Sequence, residues 1–195
     1  HRAGSAAGRA VSRAYDALYK LLGARDTDSV VLTSGATESN NTVVTSVARA
    51  AEARAPGQPP LLCVTTAQEH PSVLVPLAEA ERRLGSDRLC VVRVAPDADG
   101  VVRAEAVERA LCEAVKARRA VPALVSTMWA NNETGVLSDV RAIAAVAHRH
   151  GALFHTDATQ VPGKHLPTTT SKKAKSPYSL GLAEFADLAS VSGHK

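Results

Sequence analysis

Short runs of branched apolar residues alternate with longer segments of helical period along most of this 195-residue chain, and no other feature restricts its fold as much. Six runs read as strands: "SVVLT" (29–33), "LLCVTT" (61–66), "LCVVRV" (89–94), "ALVSTMW" (123–129), "ALFHTD" (152–157) and "ADLASV" (186–191). Apolar residues at three- and four-residue spacing predict the helices between them. Val11, Tyr15, Leu18 and Leu22 share one face of residues 6–22, with Gly23 as a stop. Val44, Val47, Ala48 and Ala51 stripe residues 37–54, and Pro71 opens a helix that ends near Gly85. Val107, Ala110, Leu111 and Ala114 mark the next helix, and Val140, Ile143, Ala144 and Ala147 mark a last one, stopped by Gly151. A strand that continues into a helix and returns as a strand gives a parallel ladder. The fold class expected is α/β, a mostly parallel sheet covered by helices on both faces.

Composition agrees and narrows the function classes. Hydrophobic residues make up 45% and charged residues 22%, the balance of an ordinary globular domain, in a chain long enough for one substantial core. The net charge of +4 is spread along helical patterns without interleaved aromatics, so a solvated surface explains it better than nucleic-acid binding. No apolar run reaches membrane-spanning length. Cys63, Cys90 and Cys112 lie far apart in apolar surroundings and read as buried, reduced core thiols of an intracellular protein. No CxxC pair suggests a metal. The polar stretch "PTTTSKKAKSP" (167–177) breaks the rhythm, and reads as a solvated surface insertion in preference to a basic docking patch.

The unusual polar clusters follow the expected strands. "TSGATESNN" (33–41), "AQEH" (67–70), "ANNETG" (130–135), "TDATQ" (156–160) and "SGHK" (192–195) all fall at carboxyl ends, the edge where parallel sheets bind ligands. Gly35, Ala36 and Thr37 would let backbone N–H groups approach an anion at a helix start, although, taken alone, this stretch reads better as a plain strand-to-helix turn capped by Ser34 or Thr37. Neither GxxxxGK[ST] nor GxGxxG is present. Asp157 closes an apolar strand, where a carboxylate needs a cation. His155 and Asp157 could be two metal ligands, but no third has useful spacing, so no metal is expected. His70 and the Asn131–Asn132 pair, taken singly, read as satisfied polar or turn residues, and Lys195 as a surface lysine. Taken together they suit one ligand: an anion at a helix N-terminus, a ring nitrogen needing a carboxylate, a phenolic oxygen needing amides and an aldehyde needing a lysine. Pyridoxal 5′-phosphate has all four.

In "TSGATESNN", "EHPSVL", "ANNETG", "HTDATQ" and "SGHK", in this order and at compatible spacing, the chain resembles the class V aminotransferase family of fold-type I pyridoxal-phosphate enzymes, and among them the cysteine desulfurases and selenocysteine lyases. The resemblance implies that Ala36 and Thr37 bind the phosphate with Ser192 and His194. It implies that His70 stacks on the cofactor ring and takes part in proton transfer, and that Asn132 and Gln160 hold the ring oxygen and nearby substrate groups. Asp157 would pair with the pyridine nitrogen, and Lys195 would form the Schiff base and shuttle protons, so Lys195 and His70 are the catalytic candidates.

The implied reaction takes sulfur from L-cysteine, or selenium from L-selenocysteine, and leaves L-alanine, passing the chalcogen to an acceptor protein in a role such as iron–sulfur cluster assembly. The implied partners include a second subunit in the full-length homodimer, and neither nucleic acid nor membrane. The alternatives are another class V enzyme, a transaminase or kynureninase-like hydrolase, or a truncated remnant without catalysis. By this resemblance residues 1–195 form an incomplete cofactor-binding large domain. The N-terminal segment, the C-terminal small domain, the persulfide cysteine and the arginine that clamps the substrate carboxylate would lie outside it.

Overall fold

The computed structural model describes residues 2–164 and 179–193. Helix α1 (Arg2–Leu22) and helix α2 (Ala36–Glu52) come first, and then strands and helices alternate: β1 (Leu61–Thr66), α3 (Pro71–Leu84), β2 (Leu89–Val94), α4 (Ala104–Arg118), β3 (Val121–Ser126), α5 (Val140–Arg149) and β4 (Leu153–Asp157). A 3-10 turn (Leu182–Glu184) leads into β5 (Leu188–Ser190). The five strands form one sheet in the order β2-β1-β3-β4-β5, and every described pairing is parallel.

Alternation along the strands separates two apolar layers, one on each sheet face. Leu61 and Cys63 of β1 join Leu124 of β3 beneath α2 and α3, where Val44, Ala48, Ala51, Val73 and Leu77 pack. Leu62 and Val64 face the other way, with Val125 and Phe154, against Val107 and Leu111 of α4 and Ile143 and Ala147 of α5. The α/β expectation with helices on both faces is therefore met. Pro122 has no N–H to give the ladder, and the register between β1 and β3 slips beside it: Leu62 faces Pro122 while Cys63 faces Leu124.

Most predicted elements form within a residue or two of their expected limits. The "ALVSTMW" strand starts earlier, at Val121, and its ladder proper ends at Ser126, although the Thr127 and Trp129 amides still donate to His155 and Asp157 carbonyls on β4. Three expectations need correction. Residues 29–33 form no strand: the segment has no ladder partner among the described residues, and Val31 and Leu32 are 76% and 67% exposed. A β-branched run makes a strand only by pairing. Val11 on α1 is 56% exposed, and of the predicted α1 face only Leu22 is buried. Cys112 is exposed, whereas Cys63 and Cys90 are buried, because position 112 lies off the Val107–Leu111–Ala114 stripe of α4. The 167–177 insertion, His194 and Lys195 lie outside the described residues.

Gly23 shows why the first helix must stop where it does. Its φ is +69°, and an added Cβ would sit 2.6 Å from Ser179 Oγ and 2.8 Å from Gly181 Cα. The glycine lets the end of α1 lie against residues 179–181, where the Leu180 amide donates to the Leu21 carbonyl at 2.7 Å.

Candidate cofactor cleft

The chain leaves β1 toward β2 on one side and returns through β3 to β4 and β5 on the other, so the sheet changes winding direction between β1 and β3. Loops after strands on the two sides of such a switch diverge and leave a crevice at the carboxyl edge. A cleft of about 380 Å³ lies there. It is lined by Ala36 and Thr37 from α2, His70 from the loop after β1, Asn132 from the loop after β3, Asp157 and Gln160 at the end of β4, and Ser192 beyond β5. Every described candidate cofactor residue is thus brought to one cavity. Lys195 and His194 fall outside the described residues.

Helix α2 points its N-terminus into this cleft. Gly35 is its N-cap, no side chain caps it, and the expected Ser34 or Thr37 cap is not made. Glu38 instead reaches back, its Oε2 accepting from the Ser34 amide at 2.6 Å, and this hydrogen bond holds its carboxyl below the usual range. The first-turn amides at Ala36 and Thr37 remain directed along the positive end of the helix, beside the Thr37 hydroxyl, which suits an anion.

Along one wall of the cleft runs a line of hydrogen bonds. His70 is the N-cap of α3, and its Nδ1 accepts from the Ser72 amide at 3.1 Å and lies 2.7 Å from Ser72 Oγ. Asn40 Nδ2 donates to Ser72 Oγ at 2.9 Å and to Asp157 Oδ2 at 2.7 Å. The second Asp157 oxygen accepts from the Thr159 amide at 2.9 Å. Asp157 is 5% exposed, and these donors offset the burial of both its carboxylate oxygens.

The two asparagines after β3 divide the labour. Asn131 is buried: its amide donates to the Gln68 carbonyl at 3.1 Å, and its Oδ1 accepts from the Glu133 and Thr134 amides at 2.9 Å each. It builds the turn. Asn132 is exposed on the cleft, where its amide is available. Gln160 also lines the cleft, and its Oε1 accepts from Lys164 Nζ at 2.6 Å. Both ring nitrogens of His155 have partners: Ser126 Oγ lies 2.9 Å from its Nδ1 and Ser190 Oγ 3.1 Å from its Nε2, so the ring clamps β3, β4 and β5. Burial pushes its pKa down to about 4, against the opposing pull of Asp157.

Three residues of this region escaped the sequence reading. Asn40 and Ser72 connect Asp157 to His70. Glu69 is buried beneath the cleft, its Oε1 accepting from Thr66 Oγ1 at 2.6 Å, and burial raises its pKa to about 8. A signal existed for Asn40: it shares the helical stripe of Val44, Ala48 and Ala51, an apolar face on which a polar residue needs a reason.

Residues 1–174 match the family described as aminotransferase class-V. The cysteine desulfurase of Gluconacetobacter diazotrophicus is 38% identical over 195 residues, covering 100% of this chain and 42% of that protein. The cysteine desulfurase IscS of Serratia proteamaculans is 34% identical over 195 residues, covering 100% of this chain and 41% of its own length. Among solved structures, DndA from Streptomyces lividans superposes with a TM-score of 0.74 at 32% identity, over 100% of this chain and 46% of that one. SspA in complex with cysteine gives a TM-score of 0.74 at 27% identity, over 100% of this chain and 48% of that one. The chain therefore spans less than half the length of these relatives.

Proposed function

Because the chain belongs to the class V aminotransferase family, we propose that it is the cofactor-holding part of a pyridoxal-phosphate enzyme that removes sulfur from L-cysteine, or selenium from L-selenocysteine, to leave L-alanine. The observation that carries this reading is the convergence of an uncapped helix N-terminus, an imidazole, two amide side chains and a buried carboxylate on one cleft. That donor set fits the cofactor. The α2 amides at Ala36 and Thr37, with the Thr37 hydroxyl and Ser192, would hold the phosphate. Asp157 would pair with the pyridine nitrogen, while Asn132 and Gln160 would meet the ring oxygen. His70 would lie over the ring, and Lys195 and His194 complete the proposed set.

Pyridoxal phosphate, when bound, supplies an electron sink for the substrate's carbanion. The chain's own residues prepare the setting. Asp157 is fixed by Asn40 and the Thr159 amide, so it would keep its partner nitrogen protonated without moving. The small residues Gly35 and Ala36 let backbone donors approach the anion. Asn131 ties the loop after β3 to the loop after β1, and so sets Asn132 relative to His70. Transfer of the sulfur to an acceptor protein, and pairing of two subunits, are further parts of this proposal. The relatives named cysteine desulfurase support it.

The test is to incubate the chain with pyridoxal phosphate and follow its visible absorption. A bound-cofactor band lost in Lys195→Ala is expected, and no band in the unaltered chain would overturn the cofactor assignment. In a complete protein, sulfide release from cysteine, selenide release from selenocysteine and alanine formation separate the substrates from each other and from transamination. There, Asp157→Asn should reduce turnover much more than cofactor retention.

A further inference from the structure

Asn40 and Ser72 stand in the wall of the cleft, on two different helices, and join two of its functional side chains. Asn40 is 1% exposed and has two amide hydrogens, and both are committed, one to Asp157 Oδ2 and one to Ser72 Oγ. The amide cannot be turned over, because its Oδ1 would then confront the Asp157 carboxylate oxygen. In the observed orientation Oδ1 is buried and has no partner among the described residues, so the two donated bonds decide how this side chain sits.

The direction of hydrogen bonding then follows along the line. Ser72 Oγ accepts from Asn40 and has a single hydrogen of its own. The acceptor beside it is His70 Nδ1, 2.7 Å away. The Ser72 backbone amide also points at Nδ1, at 3.1 Å, as the helix cap. Two donors therefore converge on this nitrogen. A hydrogen on Nδ1 would face the Ser72 backbone N–H and break the α3 cap, so the cap amide fixes Nδ1 as the acceptor and leaves the Ser72 hydroxyl hydrogen free to join it there. Pro71 stiffens the backbone between His70 and Ser72, with its ring at the first helical position.

We infer that Asn40 and Ser72 are positioning residues for His70, tying its Nδ1 to the Asp157 carboxylate and holding the neutral ring with its proton on Nε2. The consequence for chemistry rests on the function proposed above. A neutral imidazole held this way offers the cleft a hydrogen-bond donor at Nε2, and its one basic nitrogen, Nδ1, takes up a proton only when the bonds it accepts from Ser72 are given up. His70 is then primarily a donor to groups bound over it. Asp157, through Asn40, sets the orientation of a second functional residue besides the one it would bind directly.

Nitrogen-15 long-range correlation spectra of the His70 ring test this on the chain without any cofactor, the signals being assigned by their loss in His70→Gln. In the unaltered chain the neutral ring should show a single Nε2–H tautomer, with Nδ1 displaced by the bonds it accepts. Ser72→Ala and Asn40→Ala should each move the Nδ1 signal toward the averaged position of a freely exchanging histidine, and Ser72→Thr, which retains a hydroxyl, should restore it. An Nδ1–H tautomer in the unaltered chain would overturn the inference, whatever becomes of the alanine variants. So would an Nδ1 signal that neither alanine variant moves. A failure to bind pyridoxal phosphate would leave these spectra unaffected, so the two readings fail separately.

Discussion

Glu69 Oε1 accepts the backbone N–H of Met128 at 2.8 Å, joining the loop after β1 to the end of β3 directly beneath the cleft. The same oxygen accepts from Thr66, while Oε2 is buried with no partner among the described residues. Burial raises the Glu69 pKa to about 8, with Asp157 a smaller contributor in the same direction. The folded state thus holds a proton that the unfolded chain gives up near pH 4.5. The stability due to this group is complete below that pH and is lost as pH rises toward 8. The slope approaches about 1.4 kcal/mol per pH unit within that window. Glu69→Gln preserves the acceptor and cannot ionise. Urea unfolding at a series of pH values should show it gaining on the parent chain from about pH 5 upward, whereas parallel curves would refute the buried neutral carboxyl.

His155 titrates in the opposite sense. Its burial lowers its pKa to about 4, so protons bind the unfolded chain first. Its contribution is present above the ordinary histidine range, near pH 6.5, and declines as pH falls toward 4. His155→Phe fills the space but leaves Ser126 Oγ and Ser190 Oγ without their ring partner, at a cost of about 1–3 kcal/mol per buried group. The variant should be less stable at neutral pH by a few kcal/mol, and the difference should shrink on acidification. Adding Ser126→Ala should recover part of the loss. Chemical denaturation at pH 7 and pH 5 checks both statements.

The parts of the fold legible from residue order are those in which local pattern and final packing agree. "LLCVTT" and "LCVVRV" become β1 and β2 because an uninterrupted apolar run suits a strand covered on both faces. "SVVLT" has the same composition and forms no ladder, since pairing is a tertiary event that composition does not encode. The α1 stripe has helical period, yet periodicity says only that a face is apolar, not that anything covers it. At the cleft, carboxyl-edge placement located His70, Asn132, Asp157 and Gln160. It could not separate Asn131, which builds the turn, from Asn132, which lines the cavity, because adjacent residues in a loop diverge only once the backbone is folded. Asn40, Ser72 and Glu69 act through other side chains, and contacts as remote as Asn40 to Asp157 leave no mark in local spacing.

Gly23→Ala places a methyl group into the contact with Ser179 and Gly181 and forces a side chain into the left-handed region at φ +69°. Such positions cost about 1–3 kcal/mol when strained. The expected result is a lower denaturation midpoint by that amount. Gly57→Ala, also at positive φ but with nothing within 4 Å of the added Cβ, bears the conformational cost alone and should lose less. Equal losses would show that the approach of residues 179–181 to the end of α1 contributes nothing.

Thiol reactivity separates the three cysteines. Cys63 is buried in the layer under α2 and α3, and burial pushes its pKa up to about 12, so it offers almost no thiolate at neutral pH. Cys90 is buried in the layer under α4 and α5, and burial raises its pKa as well. Cys112 is exposed on α4. Because the thiolate is the reacting form and must also be reached, one thiol should react rapidly with a chromogenic disulfide in the native chain. All three should react in urea. Cys112→Ser should abolish the fast phase and leave the slow ones, whose rates then report how often the core layers open. If the fast phase survives that substitution, either Cys63 or Cys90 is accessible, and the packing of the corresponding sheet face would have to be redrawn.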